Sequence, residues 1–66
     1  MTGEELRRIR IARGFTQRRL GEKLGYEGRS AETTIQNWEG DRHPIPIKKI
    51  RKLAEVLEMP IEKFIP

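Results

Sequence analysis

The chain contains no cysteine, one histidine, and only two Phe, one Tyr and one Trp among its 66 residues. Without cysteine, neither a disulfide nor a thiolate metal site can form. His43 alone cannot build a histidine cluster, and no metal or other cofactor is expected. No apolar run approaches the length that crosses a bilayer, so no membrane partner is expected. The first residues lack the charged-then-apolar pattern of a secretion signal, and the expected location is the cytoplasm. No strand pattern, internal repeat or low-complexity segment interrupts the sequence. No nucleophile–base pair and no paired carboxylates point to catalysis, so an enzyme is not expected.

Charged residues make up 36% of the chain and hydrophobic residues 35%. That balance suits a single domain spanning residues 1–66, with one small core under a charged skin. The net charge of +4 and a pI near 10.0 favour a polyanionic partner without identifying one.

Helical signals follow one another along the chain. Thr2 and Glu5 have the spacing of a capping box, so a first helix should start near Gly3, carry Leu6 and Ile9 inward, and stop at Gly14. Thr16 reads as the N-cap of a second helix over Gln17 to Leu24, with Phe15 and Leu20 as a hydrophobic staple across it. Leu20 and Leu24 give that helix one apolar stripe. Gly21 inside it costs about 1 kcal/mol relative to alanine, which suggests another helix crossing closely there. Gly25 ends the helix, and Tyr26 to Arg29 reads as a polar turn.

Ser30 to Glu39 is the stretch the rest of the chain serves. Ser30 is the expected N-cap. Ile35 and Trp38 fall on one side and anchor it in the core. Glu32, Thr33, Gln36 and Asn37 occupy the other side, each able to donate or accept in the plane of a base edge. A merely solvated face would carry more Lys and Glu, because short amides and hydroxyls are poorer helix formers. The pattern is that of a recognition helix. Gly40 and Asp41 end it, and the prolines of Arg42 to Pro46 forbid regular structure. A fourth helix should cover Ile47 to Leu57 with Ile50, Leu53, Ala54 and Leu57 inward. Met59-Pro60 breaks it, and a final short helix, Ile61 to Ile65, should turn Phe64 and Ile65 inward. The fold class is all-α with five short helices.

Two short helices joined by a glycine-containing turn, the second apolar inside and short-polar outside, make a helix-turn-helix. The runs Gly14-Phe15-Thr16-Gln17, Leu24-Gly25, Thr34 to Glu39 and Lys52 to Leu57 resemble the Cro/C1-type (XRE) family of phage-repressor-like DNA-binding domains, from Leu6 to Ile65. The resemblance implies a lambda-repressor-like five-helix bundle that binds double-stranded operator DNA, commonly as a homodimer, to regulate transcription, most often by repression. It also implies roles for particular residues. Gln17 would contact a phosphate from the start of the second helix, helped by the helix N-terminus. Arg10 and Glu39 would form an orienting pair, and Glu32, Thr33, Gln36 and Asn37 would read bases. Arg42 would clamp a phosphate from the loop, and Arg18 would add another such contact. Relatives pass from the glycine after the second helix to the isoleucine of the third in about four fewer residues, longer turns being an allowed variation. The longer turn would give Arg29 and Ser30 a reach to phosphate. The alternative to DNA binding is a protein-interaction module on the same bundle, which an apolar outer face on the third helix would have favoured.

Overall fold

Thr2 and Glu5 do close a capping box. The Thr2 hydroxyl accepts from the Glu5 N–H at 3.2 Å, and the Glu5 carboxylate accepts from the Thr2 N–H at 2.9 Å. The bond from the Thr2 N–H, with a further contribution from the Thr2 hydroxyl, holds the Glu5 carboxyl below its ordinary value. The box is therefore intact when Glu5 is ionised and loosens as pH falls through the lowered pKa. This computed structural model describes residues 1–65. From the box the chain runs through α1 (Gly3–Ala12), α2 (Gln17–Lys23), α3 (Gly28–Glu39) and α4 (Ile47–Leu57) to a 3-10 turn at Ile61–Lys63. Among the described residues there is no strand.

Every α-helix ends at a left-handed residue, the one past the cap in α1, α2 and α3 and the cap itself in α4, with paired backbone bonds running back to the last turn. Gly14, Gly25, Asp41 and Glu58 hold those positions, with φ of 83°, 97°, 55° and 56°. The bonds are Phe15 N–H to Arg10, Tyr26 N–H to Gly21, Arg42 N–H to Asn37 and Met59 N–H to Ala54, at 2.9–3.1 Å. The two glycines were readable as stops. Asp41 also belongs to an expected stop, whereas Glu58 is not a residue that announces such a turn, and each has local support. The Asp41 carboxylate accepts from the Gly3 N–H at 3.0 Å, tying the end of α3 to the start of α1. Arg13 donates to the Leu57 carbonyl at 2.6 Å and to the Glu58 carbonyl at 3.4 Å, satisfying carbonyls at the end of α4.

The core gathers side chains from along the whole chain: Leu6, Leu20, Leu24, Ile35, Trp38, Leu53, Ala54, Leu57 and Phe64. Gly21 is buried against α3, and a β-carbon there would collide with the backbone of Ala31. The glycine is what lets α2 and α3 cross backbone to backbone.

Two expectations need correcting. The fifth helix, expected over Ile61 to Ile65, is a single 3-10 turn, held by Lys63 N–H to Pro60 and Phe64 N–H to Ile61. A segment that short between prolines cannot recover the cost of nucleating an α-helix, and an i→i+3 turn is what it can form. Phe64 points inward as expected, but Ile65 is 53% exposed. The second correction concerns α3, which starts at Gly28 with Glu27 at its N-cap. Ser30 lies within the first turn and caps nothing. Gly28 has φ +57°. Glycine adopts that angle without a Cβ penalty, so the chain turns into the helix two residues before the expected cap.

Candidate nucleic-acid interface

The exposed face of α3 follows from its register. Ala31, Ile35 and Trp38 are buried, whereas Arg29, Glu32, Thr33 and Gln36 are exposed and Asn37 is half-buried. Trp38 is fixed as core. It is 5% exposed, and the Tyr26 ring meets it edge-on, with centroids 6.1 Å apart and planes at 76°. The four side chains singled out as base readers thus share one side of α3, away from the core.

Beneath that face runs a chain of polar contacts linking three helices. Arg10 from α1 donates through Nε to Glu39 Oε2 at 2.5 Å and through Nη2 to Glu39 Oε1 at 3.3 Å, while its Nη1 reaches the Phe15 carbonyl at 2.8 Å. Gln17 from α2 donates its amide to Glu39 Oε1 at 3.1 Å. Gln36 then donates to the Gln17 carbonyl at 3.3 Å. The polarity of this chain is dictated from its base. An ionised carboxylate can only accept, so Gln17 must turn its NH2 toward Glu39 and its oxygen toward Gln36. Gln36 must therefore spend one N–H on Gln17, which leaves its oxygen and its other N–H free. The side chains of Arg10 and Glu39 are 9% and 5% exposed, and a buried pair of this kind fixes geometry more than it adds stability. The structure brings the expected orienting pair together and extends it to Gln17 and Gln36, an extension with no signal in the local sequence pattern.

The residues expected on phosphate are spread around this face. Gln17 occupies the first turn of α2, beside Gln36. Arg18 shares Glu22 with Arg19, at 3.5 Å and 3.8 Å. These are exposed pairs of small worth that can be given up to another anion. Arg42 follows α3 and folds back on it, with Nη1 3.3 Å from the Gln36 carbonyl. Arg29 and Ser30 are not in a turn at all: both lie in the first turn of α3, exposed. The connection from α2 to α3 is only Leu24 to Glu27, and the extra residues have become helix.

Lys49, in the first turn of α4, donates its Nζ to the Leu24 carbonyl at 3.1 Å and lies 4.8 Å from the centre of the Tyr26 ring. It braces the turn between α2 and α3 against α4. His43 is exposed, and among the described residues no group of His, Asp or Glu is placed to hold a metal ion. Nor, among the described residues, is any helix long and apolar enough to cross a membrane.

The comparisons agree with this architecture. A helix-turn-helix family model matches residues 6–64, and the chain belongs to that Cro/C1-type family. Among solved structures, the crystal structure of transcriptional regulator BswR is similar, at 31% identity and a TM-score of 0.89. The match covers 97% of this chain and 63% of that one, so this chain spans less than two thirds of the solved protein. None of the curated proteins matches the chain.

Proposed function

We propose that the chain is a transcriptional regulator that binds double-stranded DNA sequence-specifically, with α3 in the major groove. The observation that carries this reading is the Gln36 amide, locked through Gln17, Glu39 and Arg10 with one acceptor and one donor left over. That pair matches the N6 amino group and N7 of adenine, the standard bidentate partners of a glutamine. Glu32 can accept from cytosine N4, the Thr33 methyl suits thymine, and Asn37 offers a second amide. Gln17, Arg18, Ser30 and Arg42 surround this face and supply phosphate contacts, which set register rather than sequence. Family membership and the basic balance of the chain support the same reading.

The simplest output is repression, by occupying the site and excluding other proteins from it. Two copies would bind symmetrically, and the face offered for pairing is apolar. Ile47 is 88% exposed and Ile65 53%, beside Ile50 and Phe64. The test is selection of bound sequences from a random duplex pool. The expected product is an inverted repeat with half-sites about 10 base pairs apart, centre to centre. Recovery of unselected sequence at every salt concentration would refute specific binding.

A further inference from the structure

We infer that Arg29 is a specificity-determining residue that reads a guanine, rather than a backbone clamp. The inference rests on the proposed function and deepens it by adding a base contact. Its ground is the position of α3's first turn. At about 100° per residue, Arg29, Thr33 and Gln36 form one line along the helix, directly opposite the buried line of Ala31, Ile35 and Trp38. Arg29 stands one turn N-terminal to Thr33 and roughly 10 Å along the axis from Gln36. That spacing is close to three base-pair steps. In helix-turn-helix docking it is the N-terminal part of the recognition helix that meets base edges. A residue at the head of the reading line faces the groove floor, whereas phosphates are met from the flanks.

The chemistry of the side chain agrees. Among the described residues, no hydrogen bond or ion pair engages Arg29, although the other arginines around this face are committed: Arg10 to Glu39, Arg18 and Arg19 to Glu22, and Arg42 to the Gln36 carbonyl. Its fork of donors is free and points to solvent. Guanine O6 and N7 are the base-edge partners that such a fork takes bidentately. The phosphate contact suggested by the sequence placed Arg29 in the turn before α3, whereas it lies in the first turn of the helix itself.

The test compares the parent with Arg29→Lys and Arg29→Ala, each by selection from a random duplex pool and by titration of the parent's best site and of an unrelated duplex. Arg29→Lys keeps the charge but loses the fork. The expected result is a guanine in the parent motif, about three positions from the one altered by Gln36→Ala. That guanine preference should disappear in both variants. Affinity for the best site should fall roughly 5- to 150-fold in Arg29→Lys, with binding to the unrelated duplex unchanged within about twofold. A motif identical to the parent's, with both duplexes weakened alike in Arg29→Ala, would overturn the assignment and return Arg29 to the backbone. A parent that selects no sequence would instead refute the proposed function itself, so the two failures are distinguishable.

Discussion

Glu39 accepts from donors on two other helices, Arg10 of α1 and Gln17 of α2, with its side chain 5% exposed. Glu39→Ala leaves the Arg10 guanidinium buried without its partner. Stability should drop by roughly 3–5 kcal/mol in urea melts. Arg10→Met with Glu39→Leu removes both charges, and most of that loss should be recovered. The double variant nonetheless frees Gln17 and Gln36 to rotate, so its specific affinity should remain reduced while its fold is restored. A double variant binding as tightly as the parent would show that the chain of contacts serves stability alone. Gln36→Ala acts at the other end of that chain. It should cost roughly 1–3 kcal/mol of specific binding and relax preference at one base position, read by competition against single-base variants of the selected site.

At the scale of the element, α3 depends on two contacts of different kinds. Trp38 anchors its inner face, and Trp38→Ala should destabilise the domain by roughly 3–5 kcal/mol, enough to abolish cooperative thermal unfolding in a domain this small. Gly21 sets its distance from α2. A β-carbon there meets the Ala31 backbone, which cannot yield as a side-chain tip would. Gly21→Ala should therefore destabilise by roughly 1–3 kcal/mol, despite alanine's better helix propensity. An unchanged or higher melting temperature would mean that the helices can separate freely. The elements legible in the sequence were those with paired signals at both ends: Thr2 and Gly14 around α1, Thr16 and Gly25 around α2, and proline-bounded α4. The start of α3 was misread because Ser30 looks like a cap, whereas Gly28 makes the entry through its backbone and shows no side-chain signal. The inner and outer faces of α3 were legible from periodicity alone. The contacts of Asp41 with α1, Arg13 with the end of α4 and Lys49 with Leu24 were not. They join residues 25 to 45 apart, and local pattern carries no information about which distant carbonyl or N–H a side chain will meet.

At the scale of the whole molecule, the domain measures 29 × 23 × 21 Å, and its two distinctive surfaces differ in chemistry. One is the polar face of α3 with its flanking arginines. The other is the apolar patch where the start of α4 meets the 3-10 turn. Arg42 belongs to the flank of the first. Arg42→Ala should weaken binding to every duplex alike and reduce the slope of log K against log salt by about one. A loss confined to one base position would make it a reader instead. The central claim is that the outer face of α3 meets DNA while the rest of the chain holds it. The most direct measurement is titration of isotopically labelled protein with a selected duplex, following the backbone and side-chain amide resonances by NMR. The largest shifts should fall on Glu32, Thr33, Gln36 and Asn37 and on the side-chain amide of Gln17. Shifts concentrated at Ile47, Ile50 and Phe64, with α3 unmoved, would contradict the account.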